Sequence, residues 1–433
     1  MGNSAHESAR EDTIVTSEMR STFAHSVLLS CGGLLACATV VAGCGAAPAP
    51  TPAPNAGVQT FVGSAACESC HRDIYGRWKT TLMANVVRDP KEHPDAIIGD
   101  FSHPNPLVTF KKEDVAFTYG SKWKQRYFTK IGDDYFVFPA QWDVQNKTWR
   151  PYSPRPGTDW WTSIYPDDQM QRPAGPLCDG CHSVNYDVKT RTVTEWNVGC
   201  ERCHGAGGPH VRDKKASSIV NPAKLDAGRA DDVCIQCHSQ GKPRNNPIEG
   251  RYYDWAVGYQ PGGRLADVWQ LEEHHLGAAT FTHWPEGTAH KNRMQGNDYV
   301  QSQMYLKGVQ CSACHDVHGT EHEAELRLPG NAVCLQCHNP VLQPGPRGAL
   351  EFHTQHAANS EGSRCVACHM PAVEQTIANV NVRSHTFKFI SPLTSERYGV
   401  PNPCTSCHKD KSNEWAVAAL RTWPSVLSWR VAP

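Results

Sequence analysis

The chain has 433 residues, 39% of them hydrophobic, with 42 lysines and arginines against 43 aspartates and glutamates. A formal net charge of −1 with no basic stripe excludes a nucleic-acid interface built on a cationic patch. The apolar supply is thin for a chain long enough for two or three domains, and 34 glycines with 31 prolines favour irregular connections.

Residues 1–44 read as a targeting segment outside the fold. Arg20 precedes the apolar run 26–41, and the run closes in Val41, Ala42, Gly43 and Cys44, which resembles a bacterial lipobox. On that reading Cys44 becomes the lipidated first residue, and Cys31 and Cys37 leave with the signal. A transmembrane anchor is the alternative, for which the run is short. Residues 45–60, with Pro48, Pro50, Pro52 and Pro54, read as an extended tether. Gly45 rather than Asp after the lipid-bearing cysteine favours the outer membrane, on its periplasmic or cell-surface face, with acyl chains as a stable anchor.

From residue 61 to 433 one pattern dominates: Cys-x-x-Cys-His occurs eight times and uses 16 of the 19 cysteines. The motifs are Cys67/Cys70/His71, Cys178/Cys181/His182, Cys200/Cys203/His204 and Cys234/Cys237/His238. The second half carries Cys311/Cys314/His315, Cys334/Cys337/His338, Cys365/Cys368/His369 and Cys404/Cys407/His408. Zinc or disulfides also use paired cysteines, but neither requires a histidine directly after each pair. The attachment of c-type haem does: two thiols add to the haem vinyl groups and the next residue is the proximal iron ligand. The expected cofactor set is eight covalently attached haem c groups. The expected fold is a multihaem cytochrome c of mostly short α-helices and irregular coil around stacked haems, with haem burial taking the place of side-chain packing.

In chain order, a helix running from Cys67 would place Ile74, Trp78 and Leu82 on one face, with Met83 beside them. Residues 107–150 read as a small antiparallel β insert, with strands at 108–110, 115–119, 125–130 and 134–138 and a turn at 131–134. Only 17 residues separate His182 from Cys200, and 18 separate His315 from Cys334, so haems 2/3 and 5/6 are expected to form close pairs. Residues 239–310 lack periodicity and read as an ordered loop layer. Trp415, Ala419 and Leu420 would share one face of a short closing helix.

A low-spin electron-carrying haem takes a second protein ligand, whereas a catalytic haem often leaves that position open. Twelve histidines after residue 44 lie outside the motifs, enough for every iron. The distal candidates are His210, His275, His290, His318, His353, His356 and His385, with Met83 as the odd one. On an unbroken helix Met83 would lie roughly 18 Å beyond His71, too far to bind the same iron.

The stretches VGSAACESCH, NVGCERCHGAGGPHV, MQGNDYVQSQMYLKGVQCSACHDVHG, LPGNAVCLQCH, CVACHMP, NVRSHTFKFISP and TSCHKDKSNEWAVAALRTW resemble multihaem c-type cytochromes with doubled CxxCH motifs. They look most like the cytochrome region of the subgroup associated with tetratricopeptide repeats. The resemblance implies export, since such haems are attached outside the cytoplasm, and electron transfer with other redox proteins, periplasmic or outer-membrane cytochromes, as partners. In that group a histidine usually follows the first-helix tryptophan by five residues, where this chain has Met83 after Trp78. No repeats follow within the 433 residues, so docking through them is expected to be replaced.

The leading expectation is therefore an octahaem lipoprotein relaying single electrons along a haem chain in the cell envelope, with an extracellular acceptor as one outlet. The rival is an octahaem oxidoreductase of a small nitrogen or sulfur compound with one open-site haem. A polymerising cytochrome wire is not separable from the relay by sequence.

Overall fold

The computed structural model describes residues 60–152, 173–339, 348–377 and 380–424. The targeting segment, the lipobox and the tether up to residue 59 lie outside the described residues. Among the described residues no helix is long and apolar enough to cross a membrane.

The regular structure is sparse. The longest described helices, Ala227–Ile235 and Asn413–Arg421, have nine residues each. Several begin on a side-chain cap that satisfies an otherwise orphaned N–H: Asp226 caps the first, Ser412 the second, and Asn402 the helix Pro403–Cys407. They also stop abruptly. The helix Cys200–His204 ends on Gly205 at φ 73°, a conformation glycine adopts without penalty.

The β insert is a five-stranded antiparallel meander: β1 (Val87–Arg88), β2 (Phe117–Tyr119), β3 (Lys124–Ile131), β4 (Asp134–Asp143) and β5 (Thr148–Pro151). It begins earlier than the sequence suggests, and the expected strand at 108–110 is coil whose Phe110 stacks on Phe138, centroids 3.9 Å apart. The β3–β4 turn is the two residues Gly132 and Asp133; Gly132 at φ 61° supplies the positive first position of a type II′ hairpin. Pairing jumps from Arg126↔Gln141 to Phe128↔Val137, so three residues of β4 oppose one of β3. Pro139, which has no N–H for the ladder, sits in that bulge.

Two separate apolar clusters use this sheet. One gathers Phe110, Val115, Tyr127, Ala140, Trp142 and Trp149 with the 97–108 loop. The other gathers Val87, Phe117, Tyr119, Phe128 and Ala174 with Cys178 and Trp196. The sheet is thereby a packing platform for the second CxxCH motif.

The 239–310 layer is ordered, as expected, and holds its own cluster of Ile235, Ala256, Tyr259, Leu265 and Trp269 beside the strand pair Gly241–Pro243 and Trp269–Leu271. Two helical expectations differ in detail. The first helix is broken at His71 into Ala65–Glu68 and Arg72–Trp78, and Met83 follows in a turn, with Ile74 and Leu82 exposed. The closing helix buries Ala416, Val417 and Leu420, while Trp415 turns to the His408 ring, 5.0 Å away.

Candidate haem-attachment and axial-ligand sites

Each of the eight motifs lies on a short helical turn. Residues three apart on such a turn face the same way, so both thiols of a motif address one side. The N–H groups of His71, His238, His315 and His408 donate to the carbonyl of their motif's first cysteine at 3.0, 3.1, 3.1 and 2.8 Å, fixing each imidazole one turn along.

None of the sixteen motif cysteines is paired in a disulfide. Their surroundings differ. Cys181 is buried, whereas Cys70, Cys337 and Cys407, the second cysteines of motifs 1, 6 and 8, are exposed. Cys70 follows directly on the exposed Ser69, whose hydroxyl donates to its sulfur at 3.8 Å, and the helix breaks at the next residue, His71. Cys67, the first cysteine of that motif, is half-buried and lies beside Cys200 of motif 3.

The motifs touch one another in a definite order. The sulfurs of Cys67 and Cys200 are neighbours, as are those of Cys181 and Cys237, Cys234 and Cys311, and Cys334 and Cys365. Cys203 lies in the field of Cys234 and Cys237, Cys314 in that of Cys337, and Cys368 in that of Cys404 and Cys407. Numbering motifs along the chain, the succession is 1–3–4–5–6–7–8, with motif 2 branching from motif 4. Across the short 5/6 interval Cys337 acts electrostatically on Cys314. The 2/3 interval folds into the hairpin Ser183–Val184/Glu195–Trp196, and the thiols at its two ends turn to motifs 4 and 1 instead.

A repeated polar contact fixes three of these junctions. Ser64 Oγ accepts from the Cys200 N–H at 2.9 Å, Asp231 Oδ1 from Cys311 at 2.8 Å, and Asn331 Oδ1 from Cys365 at 2.9 Å. Each acceptor stands three residues before the first cysteine of its own motif and caps the helical turn of the next. Glu201 reinforces the first junction: its carboxylate accepts from the N–H groups of Val62, Gly63 and Gly207, at 3.0, 2.8 and 2.7 Å.

Four motif histidines face a second imidazole. His71 and His210, His204 and His318, His369 and His353, and His408 and His356 all have ring centroids 6.2 Å apart. Two imidazoles bound to one metal at about 2 Å per bond, with ring centres about 1 Å behind the ligating nitrogens, stand about 6 Å apart. These pairs therefore fit an iron between them. The Nδ1 atoms of His204, His210 and His356 meet the carbonyls of Val220, Lys215 and Thr354 at 2.8, 2.9 and 2.5 Å, which leaves Nε2 as the free base. Burial lowers the pKa of His204 and His353, keeping both rings neutral.

The remaining candidates are placed differently. His385, pushed down to about 4 by burial and then by His315, lies near both His315 and His238. His275 and His290 join His274 and His283 in one cluster, where burial and then His274 push His283 down to about 4. His290 directs Nε2 at the Thr280 carbonyl, 3.0 Å away, so it does not present that nitrogen to an iron. The ring facing His71 is that of His210; Met83 instead accepts the Val198 N–H on its carbonyl at 3.1 Å. His338 is exposed.

His182 has other company. Its nearest recorded ring is Tyr119, 5.4 Å away and edge-on, whose hydroxyl donates to Asp179 Oδ1 at 2.7 Å. Burial first, then Arg293 and Arg126, push His182 down to about 4. Sequence reasoning missed Tyr119, Arg126, Arg293 and the three junction caps, because nothing local marks them.

Known proteins carry the same features. Residues 305–342 match the doubled CXXCH motif family, and residues 161–205 match cytochrome c554 and c-prime. The chain is a multihaem c-type cytochrome. Its CxxCH motifs hold haem c covalently. It is 20% identical over 401 residues to the dissimilatory sulfite reductase MccA of Wolinella succinogenes, covering 72% of this chain and 50% of that protein. Over 150 residues it is 27% identical to the multiheme cytochrome MtrA of Shewanella baltica, covering 32% of this chain and 41% of that one. This cytochrome thus spans about half the length, or less, of these curated relatives. Its fold is similar to that of the outer cell wall cytochrome OcwA, with a TM-score of 0.67, 24% identity, and coverage of 84% of this chain and 86% of that chain.

Proposed function

We propose that this cytochrome is an eight-haem electron relay, exported and held by lipid on Cys44 at the outer membrane, on its periplasmic or cell-surface face. It passes single electrons between other redox proteins, with an extracellular acceptor as an outlet. The observation that carries the reading is the succession of adjoining motifs from Cys67 to Cys407, hydrogen-bonded across at Ser64–Cys200, Gln236–Arg202, Asp231–Cys311 and Asn331–Cys365, combined with four imidazole pairs spaced for six-coordinate iron. Bound haem supplies a reversible one-electron couple. The protein's part is to hold neutral imidazoles on both faces, to keep neighbouring attachment points in contact, and to shield them from water. MtrA and OcwA, named as cytochromes, are compatible relatives for such a role.

The Tyr119, Arg126 and Arg293 surroundings of His182 favour a second reading for one position, an oxidoreductase of a small nitrogen or sulfur compound with an open-site haem at motif 2. Low-temperature EPR of the oxidised holoprotein, with haem counted by pyridine haemochrome, separates the two. The relay requires eight low-spin ferric haems per chain. One stoichiometric high-spin haem that changes on adding nitrite or hydroxylamine would assign catalysis to that site.

A further inference from the structure

A cavity of about 380 Å³ opens between the β insert and the 239–310 layer. Its lining is cationic: Lys124 and Arg126 from β3, Arg150 from β5, and Lys291 opposite, with Gln141 and Gln240 as polar wall. Among the described residues that line it there is no aspartate or glutamate. The strand register explains the grouping. Lys124 and Arg126 are two apart on β3 and so share a face, Arg126 pairs with Gln141, and Gln141 pairs with Arg150.

Each cation is held in place. Lys124 donates to the Thr376 carbonyl at 2.7 Å, Arg126 lies over the Tyr152 ring at 4.2 Å, and Lys291 lies over Phe281 at 4.1 Å. Arg150 meets Asp143 at 3.3 Å, a carboxylate that is not among the lining residues. Four cationic groups in one lining make a positive potential that favours an anion.

The cavity also adjoins the second motif. Arg126 acts electrostatically on both Cys178 and His182, and Gln240 accepts from Arg293, which acts on the same two groups. No motif cysteine or histidine lines the cavity, so it is separate from the attachment turn itself.

We propose that this cavity is a binding site for a small inorganic oxyanion, held by Lys124, Arg126, Arg150 and Lys291 beside the motif 2 haem. The volume admits such an anion with several waters, each occupying about 30 Å³ in the liquid. Ionic donors to an oxyanion give the strong class of hydrogen bond. The site deepens the second reading of motif 2, yet binding here does not require that the haem be open.

The test is calorimetric titration of oxidised holoprotein with sulfate and, separately, nitrite at low ionic strength. One anion per chain is expected to bind saturably. Lys124→Gln and Lys291→Gln should each weaken it about tenfold, while Lys291→Arg retains it. Unchanged haem count and Soret spectrum in each variant establish that folding is intact. The absence of saturable binding, or equal affinity in the Lys124→Gln/Lys291→Gln double variant, would overturn the proposal. So would a shifted haem potential in those variants without anion binding, because the cations would then be partners of haem propionates. The EPR result for motif 2 stands apart from this one: a six-coordinate low-spin haem with sulfate bound sinks the catalytic reading and keeps the site.

Discussion

Glu201 sits inside the third motif yet governs the first haem. Its carboxylate binds Val62 and Gly63, just ahead of Cys67, and Gly207, just ahead of the helix Gly208–Asp213 that carries His210. Both halves of the His71–His210 pair thus hang on one buried side chain, which is 2% exposed. Glu201→Gln keeps the shape but places an amide N–H₂ against backbone donors. The expected cost is about 2–3 kcal/mol in denaturant unfolding, with a new high-spin ferric signal from the first haem. Unfolding and EPR like the parent's would refute this coupling.

Asp179, the residue after Cys178, is 2% exposed, and burial raises its pKa to about 7 although the Tyr119 hydroxyl pulls it down. An unfolded aspartate titrates near 4. The folded state therefore binds the extra proton, and stability is fullest below pH 4 for this group and is lost as pH rises through about 7. Asp179→Asn removes the ionisation but keeps an acceptor for Tyr119. Relative to the parent, this variant should gain stability steadily from pH 4 to 7, by on the order of 3 kcal/mol in guanidinium titrations. A pH-independent difference would mean that Asp179 is not the titrating group.

At the level of elements, short helical turns are locked to one another by caps that cross between motifs. Asn331 accepts the Cys365 N–H and donates to the Ser363 carbonyl at 2.9 Å, so it joins motifs 6 and 7 twice. Asn331→Ala should cost about 1–2 kcal/mol and broaden the EPR signals of those two haems alone. Asn331→Asp, which keeps the acceptor, should recover part of the stability, and equal unfolding of all three proteins would remove the cap from the account. Capping residues of this kind were invisible in the sequence for a physical reason. Ser, Asp and Asn before a helix normally cap that helix, and only the fold reveals that Ser64, Asp231 and Asn331 serve the next one. The distal histidines were legible as candidates, but which motif histidine each one faces was hidden in the same way. His210 and His318 follow His204 and His315 by six and three residues, but a flat haem bars so short a segment from reaching its far face, and the chain carries them to His71 and His204. What was legible was local: the motif code, the β3–β4 turn at Gly132, and the short-helix character enforced by glycine and proline.

For the whole cytochrome, connectivity matters more than chain order. Motif 4 contacts motifs 2, 3 and 5 through Cys237, Cys203 with Cys234, and Cys234 with Cys311. Motif 2 is a branch, fixed to motif 4 by Cys181 and to the sheet by Tyr119 and Phe128. A relay that runs through the molecule must therefore cross motif 4 but can bypass motif 2. This yields a paired prediction on electrode-adsorbed holoprotein reducing a soluble acceptor. Replacing Cys178 and Cys181 by alanine, which removes the motif 2 haem, should preserve most of the through-current, whereas replacing Cys234 and Cys237 should cut it by tenfold or more. Pyridine haemochrome must show the loss of a single haem in each case, so that the currents compare relays of equal length. Undiminished current from both variants would mean that electrons enter and leave on one side of motif 4, and equal loss in both would place motif 2 on the main path. Either result would redraw the relay, because the contacts between Cys200, Cys203, Cys234 and Cys311 leave motif 4 as the described link between the first and last thirds of the haem succession.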